Sequence, residues 1–443
     1  MDTEAVQKQF ESHPQWAAVL HCVSVISKFG AKCYLAGGCV RDALLGRRIN
    51  DFDLATDANP SDIQKLFSGS IDHGARFGMI AVPFKLPETD ETFIVEITRF
   101  REDKDYVDGR RPSEIEFSSE EEDAKRRDFS INSLFYDILN KKVIDYTEGE
   151  VDLNAKVIRA VGDPQQRFKE DRLRILRAIR FQSQLGFSIE GKTLISLMLE
   201  AEHLEMISKE RVYTELRKTI EGEDVLDAFN TLYLSGIFSV IFHKMNFYQQ
   251  AQWTEFKIDF ANIEEQSIEC FLSLATIYEL KRIKRGEARI EKVKELVSFY
   301  KTLKIPSKII KEVQSLSLLF FEFGLHNLIP SIRVFESNLN SLFFKLLNCL
   351  GKKEEFQKIR KIYQNNLDSM SHLKKPLING RDCLAIGVSP FHIGKLLDLV
   401  YEKQLLGLVV DKDEALEYIH KLKEREEVSE GAPEVKEKPN LGQ

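Results

Sequence analysis

The segment Tyr34–Thr56 reads YLAGGCVRDALLGRRINDFDLAT, and the interpretation of the whole chain starts from it. The apolar run Cys33–Ala36 is typical of a buried strand. It leads into Gly37–Gly46, which begins with two glycines and continues with the pattern of a short helix. The next run, Ile49–Thr56, alternates polar and apolar residues, as a strand with one buried face does. The segment therefore predicts a strand, a glycine turn, a helix and a second strand.

Asp51 and Asp53 stand two residues apart in the second predicted strand. Residues i and i+2 of a strand share a face, so the two carboxylates are expected to project side by side. Like charges so close cost free energy unless a cation lies between them. Oxygen ligands of this kind suit Mg²⁺, which proteins bind through one or two carboxylates together with substrate phosphates. The alternative for an isolated Asp-x-Asp is a solvent-exposed strand face.

The glycine turn adds a second chemical feature. Gly38, without a side chain, lets the backbone approach phosphate oxygens, and the helix behind it presents free N–H groups to an anion. Arg41 is placed to pair with a triphosphate. Phosphate binding beside a two-carboxylate metal site predicts nucleotidyl transfer, with a hydroxyl as nucleophile and pyrophosphate as leaving group.

GGCVRD at 37–42 followed by DFD at 51–53 resembles the nucleotidyltransferase signature of the DNA polymerase β superfamily. The motifs below narrow the resemblance to the class II tRNA nucleotidyltransferase/poly(A) polymerase family. The resemblance implies an α+β chain, in which an N-terminal polymerase-β-like head with a small mixed sheet and helices precedes an all-α neck, body and tail. It also implies Mg²⁺ held by Asp51 and Asp53, the catalytic carboxylates.

A second motif lies in Glu120–Asp137, whose acidic start and basic next turn predict a helix. Its central part, RRDFSINS at 126–133, is similar to a motif of the same family. The resemblance implies that Arg127 contacts the nucleotide phosphates. It implies that Asp128 and Asn132 contact the ribose or hold Arg127.

A third motif lies in Arg167–Phe181, RFKEDRLRILRAIRF, where apolar and polar rows alternate at helical spacing. A charged, solvated helix face is the structural alternative for such a row. The resemblance to the Glu-Asp-x-x-Arg motif of the family identifies Asp171 and Arg174 as readers of the nucleotide base. Arg177 and Arg180 are expected to hold phosphate or ribose, or to support the readers.

The chemistry of the bases explains why one carboxylate and one guanidinium suffice. Cytosine and adenine each present an amino donor beside a ring-nitrogen acceptor, which fit a carboxylate and a guanidinium respectively. Uracil and guanine reverse this order. Leaving the buried groups unpaired costs about 1–3 kcal/mol each, so both wrong bases would be rejected together.

Several other segments carry weaker predictions. Glu96, in a strand predicted over Thr92–Thr98, is a candidate third carboxylate, with a solvated strand face as the alternative. Arg99–Pro112 is charged and contains glycine, so it predicts a mobile loop. The resemblance implies that this loop helps to switch from adding C to adding A, and its length favours a complete CCA enzyme or an A-adding one.

Glu-Arg-x-x-x-Glu at 210–215 is expected to support the nucleotide pocket. Lys281–Lys294 is a basic cluster, either a contact for tRNA phosphates or a solvated face.

Composition sets the remaining limits. A chain of 443 residues with 43% hydrophobic and 30% charged residues predicts a globular protein of two to four domains. The polar N-terminus and the lack of a long apolar run predict a cytoplasmic protein without membrane segments. Six cysteines without a Cys-x-x-Cys spacing argue against a zinc site. The net charge of −7 argues against indiscriminate nucleic-acid binding but allows a local basic groove.

The predicted regions are a nucleotidyltransferase head (1–150), a nucleotide-recognition neck (151–225), a helical body (226–370), a tRNA-binding tail (371–422) and a disordered end (423–443). The predicted activity is template-independent addition and repair of the 3′-terminal CCA of tRNA from CTP and ATP. An A-adding enzyme or a bacterial poly(A) polymerase of the same family is the alternative, and an inactive RNA-binding homologue is the alternative of another class. The oligomeric state stays open.

Overall fold

The computed structural model describes residues 3–74, 78–85, 92–106, 112–246, 250–284, 286–323, 335, 339–369, 376–405 and 408–430. The chain divides into two compact units. The first comprises residues 1–257, 265–268 and 295–306, and the second comprises residues 258–264, 269–294 and 307–443. Within the described ranges no helix has the length and apolar character needed to cross a bilayer. The finer division into head, neck, body and tail stays a prediction.

The strands all lie in the first unit. In chain order they are β1 (Cys33–Ala36), β2 (Asp53–Thr56), β3 (Ile71–Gly74), β4 (Met79–Lys85), β5 (Thr92–Arg99), β6 (Arg101–Tyr106), β7 (Pro112–Phe117), β8 (Phe135–Asp137), β9 (Lys142–Ile144), β10 (Val157–Ile158) and β11 (Ser188–Ile189). Seven of them form one sheet in the order β3-β4-β5-β2-β1-β8-β9. β2 and β5 are parallel, and the other neighbours are antiparallel. The predicted small mixed sheet is therefore confirmed.

Helices make up most of the rest of the chain, which confirms the predicted α+β class with a helical remainder. In chain order they are α1 (Thr3–Glu11), α2 (Trp16–Lys28), α3 (Gly38–Leu44), α4 (Pro60–Leu66), α5 (Glu120–Lys125), α6 (Gly149–Ala155), α7 (Pro164–Glu170), α8 (Leu173–Leu185), α9 (Gly191–Leu199), α10 (Lys209–Ile220), α11 (Val225–Leu234), α12 (Ile237–Ile241), α13 (Gln250–Ala261), α14 (Ile268–Lys281), α15 (Gly286–Thr302), α16 (Ser307–Glu322), α17 (Asn340–Cys349), α18 (Lys353–Ser369), α19 (Gly380–Ala385), α20 (Pro390–Leu405) and α21 (Lys412–Glu430).

Two predictions about the head are wrong in part. Arg99–Pro112 is not a loop throughout, because β6 and β7 pair as an antiparallel hairpin, and residues 107–111 lie outside the described residues. Backbone pairing here overrides a charged composition that is poor in strand-forming side chains. The helix predicted over Glu120–Asp137 ends at Lys125. The side-chain oxygen Oδ1 of Asp128 then accepts a hydrogen bond from the N–H of Phe129. This bond competes with the backbone hydrogen bond that the N–H would form in a helix.

The helix predicted over Arg167–Phe181 is interrupted, and α7 and α8 meet at Asp171. Asp171 has extended backbone angles, and its Oδ1 accepts a hydrogen bond of 3.1 Å from the N–H of Leu173. A carboxylate that satisfies a free N–H at the start of a helix favours a new helix at this point. Asp171 and Arg174 are therefore not neighbours on one continuous helix, although both remain at the same helix junction.

The prediction of disorder over residues 423–443 is wrong for residues 423–430, which belong to α21. Residues 431–443 lie outside the described residues. α21 runs through this region because its first half is anchored. Ala415 and Ile419 are buried in a cluster with residues of α19 and α20, and Lys421 pairs with Glu417 one turn earlier.

Candidate active site

The centre of the site lies at the end of the two central strands where β1 ends and β2 begins. The antiparallel register pairs Leu35 with Leu54, which places Gly37, after β1, close to Asp53, at the start of β2. Gly37 has a φ of +74°, and a Cβ at this position would lie 2.9 Å from Nη1 of Arg127. The backbone angle favours glycine, and a side chain here would also require Arg127 to move. The turn therefore brings the phosphate-binding motif and the carboxylate motif to one place.

All the predicted site residues line a single cavity of about 820 Å³. These residues are Gly38, Arg41, Asp51, Asp53, Arg127, Asp128, Asn132, Asp171, Arg174, Arg177 and Arg180. They come from the head and the predicted neck, which belong to the same compact unit. Their roles stay predictions, but the structure brings every one of them together.

The carboxylates of Asp51, Asp53 and Glu96 are among those that line this cavity. Asp51 precedes β2 and is not part of it, while Asp53 pairs with Glu96 in the parallel register of β2 and β5. Loss of hydration beside the cavity wall raises the pKa of Asp53 to about 6, and repulsion by Asp51 and Glu96 adds to this, whereas Arg127 acts against it. A site that disfavours its own negative charge favours a bound cation.

The donor set fits magnesium, which needs two carboxylates at most when substrate phosphates supply further ligands. Among the residues that the structure describes, no group of three or more Asp, Glu, His or Cys side chains is arranged to hold a metal ion. Glu96 therefore lines the cavity without completing a three-carboxylate site, and its role as a third ligand stays a prediction.

A chain of buried polar contacts crosses the cavity wall from α3 to α8. Arg41 donates two hydrogen bonds of 2.9 Å to Asp42 and one of 2.6 Å to the side-chain oxygen of Asn132. Asn132 in turn donates to Oδ1 of Asp128 at 3.2 Å. Arg177 donates to Oδ2 of Asp128 at 2.7 Å. Asn132 and Asp128 thus connect Arg41, the predicted phosphate ligand, to α8.

The charges in this chain stabilise one another. Burial alone would raise the pKa of Asp128, but the charge of Arg177, with hydrogen bonds from Arg177 and Asn132, lowers it to about 2. The pKa of Arg177 is raised although burial acts to lower it, chiefly because of the charge of Asp128. Asp128 is therefore ionised at neutral pH and holds Arg177 in place.

Asp123 is a functional residue that sequence reasoning missed. It is buried, and it accepts hydrogen bonds from Arg126 at 2.7 and 2.9 Å and from Arg127 at 3.1 and 3.2 Å. Arg127 also donates to the backbone oxygen of Asn132 at 3.2 Å. The available signal was the spacing, because an aspartate three and four residues before two arginines can pair with both on a helix.

The two predicted base readers each hold an oppositely charged partner. Oδ2 of Asp171 accepts a hydrogen bond of 2.8 Å from Arg211. Arg174 is buried and donates from Nη1 to Glu170 at 2.6 Å and to the backbone oxygen of Arg167 at 2.9 Å. Its Nη2 donates to the backbone oxygen of residue 126 at 3.2 Å. Glu170 therefore fixes the side chain of Arg174, and Arg211 fixes that of Asp171.

Arg180 lies deeper, on the α8 face next to α10. It forms an ion pair with Glu215 at 3.2 Å, and loss of hydration together with repulsion by Arg177 lowers its pKa to about 10. The ring of Phe181 lies among three guanidinium groups, whose carbons are 4.3 Å (Arg180), 5.1 Å (Arg41) and 5.4 Å (Arg177) from the ring centroid. This ring separates cations that would otherwise repel one another at closer range.

The predicted basic cluster Lys281–Lys294 belongs to the second unit and to the helices α14 and α15. Lys281 lies over the ring of Tyr278 at 4.0 Å, and Arg289 lies over the ring of Phe321 at 4.1 Å. These cations have structural contacts within the unit, and a role in tRNA binding stays a prediction.

Two family descriptions match this chain. That of the poly(A) polymerase head domain matches residues 33–159, and that of the "probable RNA and SrmB-binding site of polymerase A" matches residues 186–248. The CCA-adding enzyme of Bacillus subtilis is 35% identical over 381 residues, which are 84% of this chain and 88% of that enzyme. The chain belongs to the tRNA nucleotidyltransferase/poly(A) polymerase family. The CCA-adding enzyme of Staphylococcus haemolyticus is 35% identical over 313 residues, 70% of this chain and 74% of that enzyme.

Solved structures of other proteins share the fold of this chain. The Bacillus stearothermophilus CCA-adding enzyme in complex with CTP has a TM-score of 0.69 at 24% identity, with 94% of this chain and 100% of that chain covered. The Thermotoga maritima CCA-adding enzyme in complex with tRNA has a TM-score of 0.65 at 22% identity, with 95% and 98% covered. At these identities the likeness shows a shared fold.

Proposed function

We propose that this tRNA nucleotidyltransferase adds and repairs the 3′-terminal CCA of tRNA, with CTP and ATP as donors. One observation carries the proposal: the carboxylate pair, the phosphate-binding cations and the Asp171–Arg174 pair all line one cavity. A single site with a single base-reading pair can serve every addition, because cytosine and adenine present the same order of donor and acceptor. Relatives named CCA-adding enzymes, with structures in complex with CTP, ATP or tRNA, support it.

Asp51 and Asp53 would hold Mg²⁺ in this scheme. Their mutual repulsion and the raised pKa of Asp53 are the features that a divalent cation relieves. A bound magnesium ion supplies a more acidic attacking hydroxyl and a neutralised leaving group. The carboxylates themselves position the 3′-hydroxyl of the tRNA against the α-phosphate.

Arg41 and Arg127 would bind the triphosphate. Each is fixed by a carboxylate, Asp42 for Arg41 and Asp123 for Arg127, so little rotamer entropy is lost when a phosphate binds. Arg127 donates to the described residues through three of its N–H groups. A guanidinium has five such groups, so two remain for phosphate oxygens.

Asp171 and Arg174 would read the base. The carboxylate of Asp171 accepts from Leu173 and Arg211, and an ionised carboxylate has about four acceptor positions, which leaves capacity for the amino group of cytosine or adenine. The guanidinium of Arg174 would donate to the ring nitrogen. Uracil and guanine would place oxygen against carboxylate and N–H against guanidinium, at a cost of about 1–3 kcal/mol for each unpaired group.

The test is to supply tRNA lacking CCA, and separately tRNA ending in CC, with CTP alone, ATP alone or both, and to sequence the products. The proposal expects CC with CTP alone and CCA with both. Addition of A only to tRNA that already ends in CC would identify an A-adding enzyme. Long A tracts would identify a poly(A) polymerase. No incorporation by folded protein would identify an RNA-binding homologue.

A further inference from the structure

A second cavity, of about 420 Å³, lies next to the active-site cavity. The two share Arg41, Asp42, Asn50 and Gln184 in their walls. The remaining wall of the second cavity consists of Arg47, Arg48, Leu185, Glu221, Gly222 and Glu223. It is therefore a polar cavity adjacent to the active site, and apart from Arg41 and its partner Asp42 its residues have none of the roles proposed above.

The acidic residues of this second cavity are all paired with cations. Asp42 pairs with Arg41 at 2.8 Å, Glu223 with Arg47 at 2.9 Å, and Glu221 with Arg217 at 3.9 Å. Arg48, by contrast, is exposed and forms no ion pair with the residues that the structure describes. The second cavity is therefore lined by three arginines and three carboxylates, and Arg48 is the arginine among them that has no ion pair with the described residues.

Lys218 is a second cation without an ion pair among the described residues. Arg211, Glu215 and Lys218 are spaced i, i+4 and i+7 along α10, so they share one face of the helix. Arg211 forms an ion pair with Asp171, and Glu215 forms one with Arg180. Lys218 lines the active-site cavity and forms no ion pair within the described part of the chain.

Lys218 lies far from the base readers. α8 and α10 run in the same direction, since Asp171 contacts Arg211 at one end and Ser183 donates a hydrogen bond of 2.6 Å to the backbone oxygen of Thr219 at the other. Seven residues of α-helix span about 10 Å, so Lys218 lies about 10 Å from Arg211 along the axis of α10. It is thus level with the C-terminal end of α8, where Gln184 lines both cavities.

We propose that Lys218 and Arg48 bind backbone phosphates at the 3′ end of the RNA strand that is extended. The inference rests on the proposed function and deepens it by naming residues for the second substrate. The triphosphate already has Arg41 and Arg127 beside the glycine turn. Lys218 in the active-site cavity and Arg48 in the adjacent second cavity, neither of which has an ion pair with the described residues, fit a chain of phosphates that leads away from the reaction centre.

The test compares Lys218→Gln and Arg48→Gln with Lys209→Gln in the full-length protein. Lys209 lies on the same helix as Lys218 and lines neither cavity, so this variant controls for charge and helix stability. Affinity for tRNA lacking CCA is measured without nucleotide by fluorescence anisotropy over a range of salt. The KM values for tRNA and for CTP are measured separately, and thermal unfolding verifies that each variant is folded.

Each of Lys218→Gln and Arg48→Gln is expected to weaken tRNA binding by about fivefold and to reduce the salt slope by about 1, as loss of one phosphate contact does. The KM for CTP stays unchanged, Lys209→Gln matches the wild type, and the loss disappears with tRNA trimmed back into the acceptor stem. A raised KM for CTP with unchanged tRNA affinity would assign these cations to the triphosphate and overturn the proposal. Unchanged values throughout would overturn it as well. Failure of the wild type to add C or A would instead count against the proposed function.

Discussion

Nε of Arg177 donates a hydrogen bond of 2.7 Å to Oδ2 of Asp128, which joins α8 to the segment that follows α5. The two residues are 49 positions apart in the chain. Through Asn132 the same aspartate is connected to Arg41, the predicted triphosphate ligand. The ion pair therefore sets the position of Arg41 relative to α8, which carries Arg174 and begins two residues after Asp171.

Asp128→Asn is expected to destabilise the protein by about 2 kcal/mol at neutral pH, because the folded state lowers the pKa of Asp128 from 3.8 to about 2. The unfolded chain binds the proton more tightly, so this stability is present above pH 3.8 and is lost as the pH falls towards 2. Urea unfolding of both proteins between pH 7 and pH 2 measures it. The difference should shrink in that acid window, and Arg177→Gln should cost less in the variant than in the wild type. A constant difference at every pH would contradict the assignment.

Gly37→Ala is expected to destabilise the protein by about 1–3 kcal/mol, because the residue has a φ of +74° and a new Cβ would lie 2.9 Å from Arg127. Gly38→Ala is the matched control. Its Cβ would lie 3.8 Å from Arg41, an ordinary contact, and its backbone is helical. Denaturant unfolding should therefore show a loss for Gly37→Ala alone. Equal losses would mean that neither the backbone angle nor Arg127 restricts this position.

Asp51→Ala and Asp53→Ala are each expected to reduce nucleotidyl transfer by about 10³-fold or more, since metal ions contribute several kcal/mol to such reactions. Affinity for tRNA should persist, because the lost groups are acidic. Asp57→Asn, directly after β2 and outside the cavity, is the control. Single-turnover assays over a range of Mg²⁺ concentration measure the effect. Full activity of either alanine variant would exclude that residue from metal binding.

Replacing residues 107–111 by a two-residue Asn-Gly turn shortens the tip between β6 and β7 and leaves the pairing from Arg101 to Phe117 in place. C addition is expected to persist, whereas A addition to tRNA ending in CC is expected to fall. Separate assays with CTP and with ATP measure this. An equal loss of both activities would indicate damage to the head and not a role in switching.

The strands and motifs near the sheet edge could be predicted from sequence because their signals are local. Cys33–Ala36 and Met79–Lys85 have the apolar and β-branched character of buried strands, and both are strands in the structure. The hairpin of β6 and β7 could not be predicted in this way, because its sequence is charged and poor in strand-forming residues.

The site could be predicted as a set of residues but not as a set of contacts. The helix break at Asp171 depends on a single side chain that bonds to the N–H of Leu173, a signal too small for periodicity to reveal. The pairs Arg41–Asn132 and Asp171–Arg211 join residues 91 and 40 positions apart. Such partners are chosen by the fold, so the sequence alone does not identify them.

Asp171→Asn and Arg174→Ala are expected to relax base choice and admit UTP or GTP. Asparagine retains one acceptor for Arg211 but adds an amide donor, which can face the carbonyl oxygen of uracil or guanine. Removal of one mismatched group is worth about 1–3 kcal/mol, so discrimination against UTP should fall by roughly tenfold or more. Competition assays with CTP and UTP, followed by sequencing of the products, measure the ratio. Arg172→Gln, between the two readers and outside the cavity, should keep the selectivity of the wild type. If the readers' variants lose activity but keep their selectivity, the pair positions the nucleotide without reading its base.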